Sequence, residues 1–273
     1  MAEAAGGASA EKAEAGAVVG GELCSALRLQ HWQRWFDVDA GDVAARLRLV
    51  ARPWDGGFFE ALGTRPDLYG PFWVCATLVF LMAATANLSS FVAHVAASDV
   101  AALPAWEQDL DVLPLAAVTV FCFAAAMPLV CSLSLRVLGV GGNTTLIELI
   151  CLYGYSLAPF CPACLLCALP VASLQWASVG LALAASSLFL VNNLWHRLDV
   201  EAYQRVAEVA DAEAQAQRPA GAAEAQVDEA IDRAMQVVGC TPARRAAGVL
   251  VVMLTGLHVA FALVLKLRFF GGL

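Results

Sequence analysis

Apolar residues in this chain do not alternate. They gather into five long runs, at about 72–96, 112–135, 146–168, 171–193 and 246–265. Each is about as long as the roughly 20 residues a helix needs to cross a ~30 Å hydrocarbon core. Unbroken runs of this length predict buried helices rather than strands, so the chain reads as an all-α, polytopic membrane protein with five transmembrane helices. The third and fourth runs are parted by little more than Leu169-Pro170, with no charge at the join. A three-span chain in which that hairpin dips into the bilayer without crossing is the other reading.

Outside the runs the pattern changes. Residues 1–30 are rich in Ala, Gly and Glu and lack an apolar core of signal-peptide length, so the reading is a disordered tail with no signal peptide. A juxtamembrane region follows at 31–70. Within it Val43, Leu47 and Val50 recur at helical spacing, with Asp39 as a candidate N-cap and Pro53 beyond the end. This predicts a short amphipathic helix over 39–50, lying on the bilayer, docking a partner or packing on the protein's own spans. The connection at 197–245 carries acidic amphipathic stretches at 198–217 and 222–238, split by Arg218-Pro219-Ala220-Gly221, and is expected to form a helical hairpin.

Composition agrees: 60% of residues are hydrophobic, 15% are charged, and the mean hydropathy is +0.69. A globular domain carries about 25% charged residues. The net charge of −8, with 16 Lys and Arg spread along the chain, argues against nucleic acid as a partner. Those cations also orient the spans. The N-terminal region holds seven and the 197–245 connection six, whereas the first loop holds none and carries Asp99, Glu107, Asp109 and Asp111. Alternate sides hold fourteen against two, which predicts a cytosolic N-terminus and a lumenal C-terminus.

Two blocks carry the candidate chemistry. Asp67-Leu68-Tyr69-Gly70-Pro71 runs straight into Phe72-Trp73 at the entry to the first span. Pro71 suits a first helical turn, Gly70 permits unusual backbone, and Tyr69 and Trp73 suit the headgroup level. The second block runs from Glu148 through Tyr153-Gly154-Tyr155-Ser156 to Pro159 and Pro162. Glu148 has two readings: an intramembrane functional acid, or the third position of a Thr145 capping box. Gly154 and Ala158, four apart, invite close helix contact, and the two prolines should bend the span. If the first and third spans run the same way, Asp67 and Glu148 enter at one face and form a composite cytosolic-side site. Arg65 is the one cation near either in sequence, so a partner is expected to supply the positive charge.

Cys161-Pro162-Ala163-Cys164 has thiol-exchange spacing but no βαβ context, and the nine cysteines read chiefly as packing residues. No phosphate loop and no nucleophile with its base is visible, so neither catalysis nor a cofactor is expected.

Asp67 to Trp73, Asn87-Leu88-Ser89, and Glu148 with Tyr153-Gly154-Tyr155-Ser156-Leu157 resemble the signature blocks of the Yip domain family, membrane proteins that interact with Ypt/Rab GTPases. Trp35-Phe36-Asp37-Val38-Asp39 resembles that family's approach to its first span. The resemblance covers about 31–195 and resumes at 246–268. It implies a five-span protein of the Golgi and early secretory membranes, cycling through endoplasmic reticulum or endosomes, acting in vesicle-mediated transport. Its partners would be prenylated Rab GTPases or coat machinery and related membrane proteins in homo- or hetero-oligomers. The partner-binding positions it implies are Asp67, Leu68, Tyr69, Gly70, Pro71, Glu148, Tyr153, Gly154, Tyr155 and Ser156. The 197–245 stretch departs from the family pattern as an insertion. The alternative function is a small transporter or channel using Glu148.

Overall fold

The computed structural model describes residues 33, 35–97, 109–138, 144–216 and 242–270, with side chains placed up to 199 and again from 248 in the last two helices. The expected tail at 1–30 and the second arm at 222–238 lie outside these residues. All regular structure described is helical. Outside the spans lie α1 (Ala40–Ala51) and α2 (Phe58–Leu62). The bundle comprises α3 (Tyr69–Ala97), α4 (Val112–Val137), α5 (Leu146–Ser156), α6 (Phe160–Cys167), α7 (Ala172–Ala216) and α8 (Pro242–Phe270). Five segments are long and apolar enough to cross a membrane: Tyr69–Ala96, Val112–Val137, Leu146–Cys167, Ala172–Asp199 and Gly248–Phe270. The third and fourth runs therefore each have spanning length.

α7 does not stop where the apolar run ends. It continues as one 45-residue helix to Ala216, so the first acidic stretch at 198–217 extends the fourth span.

The third span is two helices, and the reason is chemical. Pro159 has no N–H, so the carbonyl of Tyr155 takes the Ala158 amide instead, at 3.0 Å. Three-residue turns follow, with Phe160 bonded to Leu157 and Cys161 to Ala158. The carbonyl of Ser156 is left over inside the bundle, and the buried Ser186 hydroxyl of α7 donates to it at 2.5 Å. Ser186 also meets Nε2 of His258 on α8 at 2.7 Å. One hydroxyl thus ties α5, α7 and α8 together at the break. Lipid cannot satisfy a freed carbonyl, and a serine from a neighbouring span can.

Apolar packing forms two buried clusters. One runs along α3, α4, α6 and α8 through Leu78, Met82, Val120, Phe160 and Phe261. The other joins α1 and α2 to α5 and α7 through Val50, Phe58, Leu152, Tyr155 and Phe189. Phe58 sits edge-on to Tyr155 and Phe189, at 5.7 and 5.2 Å between ring centres. Its amide donates to Asn193 of α7 at 2.9 Å, and Asn192 donates to the Trp54 carbonyl at 2.6 Å. The segment before the first span is therefore clipped to the fourth.

The other end of the bundle has its own clasp. Gln175 donates to the carbonyls of Cys167 and Leu169, which closes the short α6–α7 turn, and it accepts from Lys266 of α8 at 3.0 Å. Asn87, in the Asn-Leu-Ser sequence of the first span, exchanges two hydrogen bonds with the backbone of Asp109 just before α4.

Ser186→Ala leaves the Ser156 carbonyl without its donor. We expect a loss of about 1–3 kcal/mol in reversible unfolding in detergent or bicelles, the cost of a buried unsatisfied polar group. Ser187→Ala on the next position serves as control, and equal losses for the two would refute the account of the break.

Candidate functional site

The amphipathic helix forms as its period predicts, but its apolar stripe contains a cation. Val43, Arg46, Leu47 and Val50 occupy positions i, i+3, i+4 and i+7, so Arg46 faces the same way as the core residues. It is 2% exposed, and Asp67 is 0% exposed. The two form a buried ion pair through Arg46 Nη1 and Asp67 Oδ1. The second guanidinium nitrogen donates to the Arg65 carbonyl at 2.9 Å. The positive charge expected of a partner is thus supplied from within the chain.

Asp67 holds three further groups. Its Oδ2 accepts from the Gly70 amide at 2.7 Å, one of the free N–H groups in the first turn of α3. Tyr155 of α5 donates its hydroxyl to the carboxylate, 3.2 Å from Oδ2. Cys151, one turn earlier, donates its thiol to the Asp67 carbonyl at 2.6 Å and accepts from the Asp67 amide at 3.2 Å. One residue therefore joins α1, α3 and α5. Upstream, the Leu68 amide donates to the Trp35 carbonyl at 2.8 Å, which fixes the approach to the span.

The two glycines of the motifs act by what they lack. Gly70 has no unusual backbone angle; among the described residues Gly63 alone has positive φ. A Cβ on Gly70 would lie 1.9 Å from the Tyr155 hydroxyl oxygen and 2.1 Å from its ring carbon. On Gly154 it would lie 2.4 Å from Cβ of Pro71. Both absences let α3 and α5 close to contact, so the expectation that Gly70 relaxes the backbone gives way to a packing role. Pro71 occupies the first turn of α3 as expected.

The remaining motif residues divide. Tyr153 is buried against Cys131 of α4, and Ser156 donates to the Tyr153 carbonyl at 2.7 Å. Leu68 is half-buried. Tyr69 and Trp73 face outward, 41% and 52% exposed, with their rings 6.2 Å apart. Glu148 stands apart from the Asp67 cluster. It closes a capping box, accepting from the Thr145 amide at 2.6 Å while its own amide donates to Thr145 Oγ1 at 3.3 Å. Arg197 of α7 lies 3.8 Å away and covers the Phe59 ring. A carboxylate so placed starts a helix and offsets its dipole.

Arg46 and the Asn192-Asn193 pair escaped the sequence reading. The signal for Arg46 was a charge on an otherwise apolar helical stripe. For the asparagines it was two adjacent amides near the end of an apolar span.

A bundle of five spanning-length helices whose entry segment is folded back onto it and locked by a buried carboxylate defines a polytopic helical membrane protein with an integral juxtamembrane platform. The Yip1 domain matches residues 47–207, more than half of the chain, and the chain belongs to that family. It is 36% identical over 160 residues to the protein YIPF1 homolog of Dictyostelium discoideum, an alignment taking in 59% of this chain and 44% of the relative. The chain thus spans less than half the length of that relative. No solved structure matches it. The matched region includes Asp67, Gly70, Glu148 and Tyr155 and ends inside α7, beyond its spanning part. The last span lies outside the match.

Removing one member of the ion pair strands the other charge. Asp67→Leu should cost about 3–5 kcal/mol of stability, and Arg46→Met a similar amount. The double variant should lose clearly less than the two together, as read by a double-mutant cycle in detergent. Strict additivity would show that the pair is not coupled. Separately, Gly70→Ala should destabilise by about 1–3 kcal/mol or more through overpacking on Tyr155. Tyr155→Phe, which removes one hydrogen bond, should cost about 1 kcal/mol. A Gly70→Ala protein that melts with the wild type would contradict the packing role.

Proposed function

We propose that the protein acts in vesicle-mediated transport on Golgi and early secretory membranes, binding prenylated Rab GTPases or coat machinery at its cytosolic face, together with related membrane proteins. The chain's membership of the Yip family supports this reading, as does the distribution of Lys and Arg, which favours a cytosolic α1–α2 side. The observation that carries it is the platform itself. Residues 35–68 are held against the spans by Asp67, Asn192 and Asn193 rather than left as a loose linker. A preorganised surface loses less entropy on binding than a flexible one.

The motif then has a division of labour. Asp67, Gly70, Pro71, Gly154 and Tyr155 hold the platform's shape from inside. Trp54 and Tyr69, both exposed on the same side of the spans, form the surface offered to a partner together with Leu68 at the entry of α3. Glu148, Tyr153 and Ser156 support the third span beneath.

The test is a reconstituted binding assay with purified prenylated Rab GTPases and the full chain in nanodiscs. Trp54→Ala and Tyr69→Ala should weaken binding at least about tenfold, a hot-spot loss of about 1.4 kcal/mol or more, at unchanged melting temperature. Asp67→Ala should lose binding and stability together, and Glu148→Gln should keep binding. A wild type that retains no Rab, or four variants that bind alike, would end this assignment.

A further inference from the structure

The break in the third span leaves more than a free carbonyl. Where Pro159 and Pro162 turn α6 aside, a groove of about 380 Å³ opens between α1, α6 and the first turns of α7. That volume falls within the roughly 300–1,000 Å³ of small-molecule sites. Leu47, Val50 and Ala51 of α1 form one end, and Leu166 and Leu181 flank the body. The lining is apolar except for Ser178, whose hydroxyl is turned back onto the Gln175 carbonyl at 3.0 Å. Leu166 and Leu181 are 48% and 73% exposed, so the groove opens sideways, where a span meets hydrocarbon. From Ala158 to Leu166 its wall runs eight residues, roughly 12 Å at the helical rise.

The α1 end of the groove also has charge beside it. The stripe of Leu47, Val50 and Ala51 is flanked on one side by Arg46, which is committed to Asp67. Arg48 follows Leu47 on the other flank and Arg52 caps the helix just beyond Ala51; both are exposed, neither lines the groove itself, and neither is in an ion pair among the described residues. Of the acids in this region, Asp39 and Asp42 lie at the opposite end of that helix and Asp55 follows Arg52 by three residues in the next turn. An elongated apolar slot open to lipid, with two exposed arginines on and just past the last turn of the helix that forms its end, matches a chain with an anionic head. Arginine's planar fork suits phosphate oxygens, and it is weakly hydrated enough to bind them at a membrane surface.

We propose that this groove is a binding site for an anionic glycerophospholipid of the leaflet on the α1 side, with one acyl chain between α6 and α7 and its phosphate on Arg48 and Arg52. The site is independent of the partner assignment, and its test uses no Rab and no coat protein. A zwitterionic phospholipid fills the slot equally well but brings no net charge to the two arginines. Selectivity between heads of one acyl composition is therefore the signature.

The full chain in mild detergent is equilibrated with equimolar phosphatidylserine and phosphatidylcholine of identical acyl chains and read by native mass spectrometry. The wild type should retain one phosphatidylserine with a preference of at least about fivefold, as expected for two interfacial arginines. Arg48→Gln/Arg52→Gln, at exposed positions, should abolish the preference without shifting the melting temperature. Ala185→Phe should fill the groove and remove both lipids, and if that variant does not fold the arginine pair still decides. A wild type with no bound lipid, no preference between heads, or a preference that survives the loss of both arginines would overturn the proposal. Displacement of phosphatidylserine by an equimolar farnesyl-cysteine methyl ester would overturn it too, by making the groove an isoprenoid site.

Discussion

A buried carboxylate must be paired and hydrogen-bonded, and Asp67 meets that demand with groups drawn from three helices. Its ion pair fixes α1, its bond to the Gly70 amide fixes the start of α3, and its contacts with Tyr155 and Cys151 fix α5. Desolvating two charges is costly, so such a pair adds less stability than its geometry suggests. What it adds is a penalty on every other arrangement: slide α1 by one residue and Arg46 leaves Asp67 without a cation. The small residues beside it serve the same end, because Tyr155 reaches the carboxylate only through the space Gly70 leaves open.

A similar logic operates at the proline break. Pro159 forces turns that leave a carbonyl unpaired within the bundle, and Ser186 answers it from another helix. The break therefore adds cohesion between spans while bending one of them. Gln175 performs a similar task at the far end, where its side-chain amide donates to the carbonyls of Cys167 and Leu169 across the turn between α6 and α7.

How much of this was legible varies with the physics. The five spans were plain because length and apolarity alone define them. The Thr145–Glu148 box was one of two readings open for Glu148, and it was visible at all because both partners lie within one turn. The amphipathic helix was visible, yet its central fact was not: Arg46 was counted as a cytosolic charge for orientation, and only its place on the apolar stripe marked it as buried. That Asp67 and Tyr155 meet is a contact across 88 residues, which periodicity cannot register. The role of Gly70 was misread for the same reason, since the side chain it makes room for belongs to another span. The continuation of α7 past the apolar run was half visible, as helical spacing without a break signal at the membrane edge.

The bonds of Asp67 also differ in how far they reach along the chain. Gly70 is three residues away and Arg46 twenty-one, but Cys151 and Tyr155 are eighty-four and eighty-eight. On a ribosome adding about 5–20 residues per second, the thiol arrives about 4–17 seconds after the aspartate. During that interval α1 and the first span can be joined by their charges, while the Asp67 amide and carbonyl wait for their partner. Maturation of the bundle thus has a built-in order: the platform is seated first by a local ion pair and sealed only when the third and fourth spans enter the membrane.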